Sequence, residues 1–397
     1  MKPFLQRLAH WIGFALLAIA IILIGVWCSI AIWYRCAVSE PVRGLLAGAT
    51  FVFALVVVAC LVTSRRWLAL AVYVASFALF LTWWATITPT NDRNWAPDVA
   101  RTVTGTIDSD RLVVENVRNF TWRSDTDFDQ RWEQRTYDLS HMTDVDLIMS
   151  YWAGEAIAHT IVSFGFDDGV RLAFSIETRK ESHEGYSSVA GFFKQYELAV
   201  VAADERDVVR VRTNVRGEDV RIYRLRMTPA NAQVLLREYV DEANDLARAP
   251  RFYNTLSANC TNLVFDMVRV IHPGVPMDVR VLLSGYLPNY AYDLGATDTS
   301  VSFEKLRELS KIHDKAAQAD ADPRFSARIR EGIPAPAPQR CRSGLSGNRR
   351  KHSGQSRQRH RAHRYGGRGL RRRERTESRR RIGPNHDTGT RTAAVVG

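Results

Sequence analysis

Three long apolar runs near the start constrain this chain more than anything else in it: Trp11 to Tyr34, Gly44 to Ser64 and Trp67 to Thr90. Each reaches the roughly 20 residues a helix needs to cross a bilayer. A cleaved leader has an apolar region of only about 7 to 15 residues, and two more runs follow here, which argues against one. Lys2 and Arg7 precede the first run, and Arg65 and Arg66 fill the turn between the second and third. The excess of cations on cytoplasmic loops puts both clusters inside, so an odd number of spans places everything after Thr90 outside. Arg35 and Arg43, opposed by Glu40, weaken that orientation without reversing it.

The formal net charge of +12 suggests a polyanionic partner, but its distribution does not. Eighteen of the 54 Lys and Arg residues lie in Arg340 to Gly397 beside three acids, Glu374, Glu377 and Asp387. What precedes is mildly acidic, and no nucleic acid is expected as a partner. The division follows: residues 1–90 as a membrane domain with three transmembrane helices, 91–334 as one soluble domain, and 335–397 as a tail rich first in Pro and then in Arg. The tail has too few apolar residues for a core and reads as disordered, either a polycation or an accidental extension.

In the soluble region, RLVVENVRNFTW, IAHTIVSFGF, VRLAFSIETR, ELAVVA, DVVRVRTN and DVRIYRLR read as strands. Helical periodicity covers Pro229 to Ala247, Cys260 to Ile271 and Ser302 to Ile312, so the fold class is α+β with an antiparallel sheet. WRSDTDFDQRWEQRTYDL reads as a solvated face anchored by tryptophans, Tyr186 and Tyr196 as structural, and Arg179 with Glu181 as a surface ion pair. No CxxC, HExxH, phosphate-binding loop or dinucleotide fingerprint occurs, so neither metal nor cofactor is expected.

Cys260 is the only cysteine of the soluble domain. Leu263, Val264, Met267, Val268 and Ile271 follow it at helical spacing, which sets it at the head of a buried stripe. One reading makes it a small core residue. The other makes it a nucleophile, because a helix start presents free N–H groups that stabilise a thiolate. Ser257 and Asn259 are candidate caps. Of His141, His159, His183, His272 and His313, only His159 lies inside an apolar strand, where an imidazole needs a polar partner. If Phe166 pairs with Val170 across a three-residue turn, His159 faces Glu177; a two-residue turn puts Thr160 there instead.

The segments WAGEAIAHTIVSFGF, LAFSIETRKE, GYSSVAGFFKQYELAVVAADERDVVRVRTN, PRFYNTLSANCTNLV and the IYRL strand resemble the Lnb-type N-terminal periplasmic domain family, related to a lipoprotein N-acyltransferase. That family is in turn similar to circularly permuted papain-like thiol enzymes, among them peptidoglycan amidases and lecithin:retinol acyltransferase. The resemblance implies a permuted papain-like domain in the periplasm, tethered to the bacterial inner membrane, with Cys260 as nucleophile, His159 as base and Glu177 as orienting group. It implies a cysteine-dependent acyltransferase or an amide or ester hydrolase working through a thioester, with membrane lipid, lipoproteins or peptidoglycan as partners. Here the spans precede the domain, a departure that puts lipoprotein acylation as such in doubt. A non-catalytic binding or scaffolding module on the same frame is the alternative.

Overall fold

The computed structural model describes residues 2–337. The Arg-rich stretch read as a tail lies outside the described residues.

Three helices lead the chain: α1 (Lys2–Arg35), α2 (Glu40–Cys60) and α3 (Arg66–Thr86). Each is long and apolar enough to cross a membrane. Leu16, Leu23, Leu45, Leu55 and Leu79 stand exposed, so these helices are apolar on faces that none of the described residues covers, as lipid-facing helices are. Where they touch, packing is close. Gly25 leaves no room for a Cβ against Ala54, and the Tyr73 hydroxyl donates to the Ile21 carbonyl at 2.8 Å.

The soluble region is a mixed α/β fold. Its strands are β1 (Thr104–Asp108), β2 (Arg111–Arg118), β3 (Thr121–Trp122), β4 (Phe128–Asp129), β5 (Trp132–Asp138), β6 (Met142–Tyr151), β7 (Ala158–Phe166), β8 (Arg171–Arg179), β9 (Glu197–Ala203) and β10 (Asp219–Arg224). The main sheet runs β1-β2-β9-β8-β7-β6-β10, with β5 also on β2, and β3 pairs with β4 separately. Every pairing is antiparallel except a single parallel one, Arg118 with Ala203, between β2 and β9.

Both faces of this sheet are covered, which is why its central strands are nearly continuous in apolar residues. One face, through Val162, Phe164, Phe174, Ile176 and Val200, packs on α5 (Pro229–Arg248) and α6 (Cys260–Ile271). The other, through Ile148, Ile161, Ala173, Val201 and Ile222, packs on Val208, Val209 and the C-terminal segment carrying Ile312, Phe325 and Ile329. Arg330 fixes that segment to the sheet by donating to Asp146 at 2.7 Å and to Glu205.

Two expectations are corrected. DVVRVRTN is not a strand: Glu205–Val208 is a helical turn, α4, and Val211–Val215 a π-helical one. Its alternation misleads because both of its charged in-facing residues are satisfied far away, Asp207 by Arg118 at 2.9 Å and Arg212 by Glu177 at 3.1 Å. Nor do Arg179 and Glu181 pair on the surface. Arg179 is buried over the Trp95 ring and donates to the Val99 and Ala100 carbonyls, whereas Glu181 pairs with Arg93 at 3.0 Å.

A candidate thiol site at the end of the sheet

Cys260 is the first residue of α6. The helix starts there because Asn259 caps it, its Oδ1 accepting from the N–H groups of Thr261 and Asn262, each at 2.9 Å. Ser257, the other candidate cap, instead donates to Asn254 Oδ1 at 3.0 Å within the preceding turn. The helix ends at Ile271, before Pro273. Cys260 is half-buried.

β7 supplies the partner. Phe166 N–H donates to the Val170 carbonyl at 3.1 Å across a three-residue turn whose Gly169 has φ +82°, a left-handed conformation suited to glycine. The resulting register pairs Ile161 with Ser175 and, two residues on, puts His159 opposite Glu177. The ladder between β7 and β8 stops at that Ile161–Ser175 pair. Beyond it the Thr160 N–H and the His159 imidazole come near enough to the Cys260 thiol to lower its pKa. Among the described residues, His159 is the histidine that acts on the thiol; His141 is occupied 2.7 Å from Asp167 at the opposite end of the strand pair.

His159 Nε2 lies 2.6 Å from Ser175 Oγ and 3.1 Å from Glu177 Oε1, and Ser175 Oγ donates to Glu177 Oε1 at 2.6 Å. With Nε2 engaged, Nδ1 is the nitrogen left for sulfur. Behind Glu177 stands Arg212, from the π-helical turn, donating to Glu177 Oε1 at 3.1 Å and to Glu218 Oε2 at 3.3 Å. Glu218 in turn accepts from Ser150 and opens on a surface cleft lined by Tyr151, Trp152, Glu155 and Arg221. Thiol, imidazole, carboxylate, guanidinium and carboxylate thus follow one another in alternating charge.

Electrostatics polarise the pair. Burial pushes the Cys260 thiol up, but the imidazole and the Thr160 N–H outweigh it and bring the thiol below its ordinary value. Burial pushes His159 down, yet the Glu177 carboxylate outweighs both that and the repulsion of Arg212, lifting the imidazole to about 9. Burial raises Glu177, and His159, Arg212 and Ser175 together take it well below the usual carboxylate range. A thiolate beside an imidazolium is the state these shifts favour. Among the described residues no group of three or more His, Cys, Asp or Glu is placed to hold a metal ion.

Cys260, His159 and Glu177, separated in sequence, are therefore brought together. Ser175, Thr160 and Arg212 escaped the sequence reading. Ser175 carried one available signal, its place two residues before Glu177 on the same strand face. Tyr196 is buried, bonded to Gly185, while Tyr186 is half-exposed and stacked on it.

No curated protein and no solved structure matches the chain significantly. Residues 128–285, which hold the entire thiol site, match the family model described as the Lnb N-terminal periplasmic domain, which fits an envelope-related protein with a periplasmic domain.

Proposed function

We propose that this protein is a cysteine-dependent acyltransferase or amide or ester hydrolase of the cell envelope, anchored in the inner membrane and acting in the periplasm through a Cys260 thioester. The observation that carries this reading is that the His159 imidazole, held from behind by Ser175 and Glu177, acts on the thiol of Cys260 at a capped helix start. A core cysteine has no use for an imidazole whose second nitrogen is so held. The order of histidine strand before cysteine helix fits the permuted papain-like arrangement, which we include in the proposal.

In the first half-reaction the thiolate adds to a substrate carbonyl carbon, and the C–S bond forms as the carbonyl oxygen takes up negative charge. In this reading the Cys260 N–H at the helix start receives that charge. His159 then gives its proton to the departing nitrogen or oxygen, and the C–N or C–O bond breaks. In the second half-reaction water or an amine attacks the thioester, His159 takes the incoming proton, and the thiolate leaves. Lipoproteins, lipids and peptidoglycan offer the required ester or amide carbonyls in this compartment. The test is incubation of the full chain with envelope extract, followed by mass analysis of the Cys260 peptide under conditions that preserve thioesters. An acyl adduct on Cys260, lost in Cys260→Ser, supports the proposal; an unmodified thiol across substrate fractions sinks it.

A further inference from the structure

The segment that precedes β9 is tied to the ends of the membrane helices. Phe193 stacks on Tyr34, the penultimate residue of α1, with ring centroids 5.9 Å apart. Lys194 Nζ donates to the Trp84 and Ile87 carbonyls at the end of α3, at 2.9 and 3.1 Å, and lies 4.7 Å over the Trp84 ring. These ends carry Trp33, Tyr34, Trp83 and Trp84, the aromatic residues that favour the membrane–water boundary. Phe193 and Lys194 therefore sit at that boundary, and whatever flanks them sits close to it.

What flanks them is apolar and uncovered. Tyr186 is 49% exposed, Val189 50% and Phe192 45%. Leu256, 57% exposed, joins them from the turn before α6, which is bonded to this segment by Thr255 Oγ1 donating to the Ser188 carbonyl at 2.8 Å. Four large apolar side chains thus point outward from two bonded turns beside the spans. A protein partner would have to dock where the headgroups already are; a leaflet needs only to be where the spans put it.

We infer that Tyr186, Val189, Phe192 and Leu256 form a surface that dips into the outer leaflet of the membrane, so that the periplasmic domain lies on the bilayer with the Cys260 turn facing it. Insertion of such a patch follows the physics of interfacial anchors, in which apolar area enters the boundary between headgroups and acyl chains. The inference stands on the packing of the domain against its helices and does not require the thiol to be catalytic.

The experiment uses the full chain with its five cysteines replaced by serine, reconstituted in phosphatidylethanolamine–phosphatidylglycerol vesicles. A nitroxide is placed in turn at Val189→Cys, Phe192→Cys and Leu256→Cys, with Asp168→Cys, in the turn at the other end of the sheet, as the aqueous reference. Collision rates with oxygen and with a water-soluble nickel chelate are read for each. Oxygen collisions exceeding nickel collisions at all three positions, with the reverse at Asp168→Cys, is the expected result. Nickel access equal to that at Asp168→Cys shows a patch facing water, and protection from both probes shows a protein cover; either overturns the inference. Wild-type chain in vesicles holding a headgroup-level photoactivatable lipid gives a reading free of substitutions: crosslinks should fall within residues 186–192 and 255–257, and crosslinks confined to the spans would overturn it.

Discussion

Arg212 Nη2 and Glu177 Oε1 lie 3.1 Å apart, and the same carboxylate oxygen is 3.1 Å from His159 Nε2. Glu177 is thus shared between two cations, and its hold on the imidazole is weaker than it would be alone. Arg212 both fixes the carboxylate in place and limits how basic the histidine becomes.

Thiol reactivity should follow from the first link of this chain. In the intact protein, alkylation of Cys260 by iodoacetamide should reach half its maximal rate below pH 9.0, the ordinary thiol value. His159→Ala removes the group that outweighs burial, so the midpoint should move upward. At pH 7 alkylation should then slow by about tenfold for each unit of that movement. An unchanged rate profile in His159→Ala would show that the imidazole does not govern the thiol.

Arg212→Gln should separate structure from tuning. It leaves two partly buried carboxylates, Glu177 and Glu218, with one cation fewer, a change that costs at most about 3 kcal/mol, the figure for breaking a fully buried pair. It also removes a charge that opposes the imidazolium, so His159 should hold its proton to higher pH. The ratio of iodoacetate to iodoacetamide rates reports the imidazolium, because only the former is an anion. That ratio should fall near pH 9 in the wild type and above it in Arg212→Gln. A coincident fall in both proteins would reduce Arg212 to a packing role. Arg212→Lys should not restore the wild-type profile, since an ammonium cannot bridge two carboxylates as a guanidinium fork does.

Stability should carry the same signature with a definite sign. His159 is raised from 6.5 to about 9 on folding, so its contribution is complete below about pH 6.5 and lost as pH rises through 9. Cys260 is lowered, so its contribution has the opposite sense: present above its unfolded value and lost as pH falls through the folded one. Cys260→Ser removes the second term and, by exchanging a single atom, should leave the fold intact. The detergent-solubilised variant should lose melting temperature as pH is raised from 6.5 towards 9. A flat profile over that interval would mean that His159 and Glu177 are not coupled in solution.

Topology is open to direct measurement. A reporter fused after Asn91 should be active outside the cytoplasm and one inserted between Arg65 and Arg66 inside. The inverse pattern would remove the domain from the periplasm and with it the proposed substrates.

Much of this site was legible because the interactions that build it are local in the chain. The cap at Asn259, the apolar stripe behind Cys260 and the hairpin that aligns His159 with Glu177 each depend on residues within about twenty positions of one another. Arg212 was not legible, because its partners lie 35 positions before it and 6 after it, and its segment alternates like a strand. The strand β6 went unread for a related reason. Its Asp144 and Asp146 look unsuited to a central strand, and only Arg171, Arg224 and Arg330, drawn from three other elements, neutralise them. Sequence patterns report burial well and remote charge pairing poorly.

The three-residue turn at Asp167–Gly169 has a bearing on how this protein can vary. It lies seven residues along β7 from His159, about 23 Å at strand rise, and touches nothing in the site. Yet deleting one residue there would slide β8 by one position and bring Thr178 or Ile176, on the wrong face, to the place of Glu177. Surface turns ordinarily absorb insertions and deletions freely. This one should tolerate changes of residue type but not of length, so its length is a marker for judging which related chains can still assemble the thiol, imidazole and carboxylate.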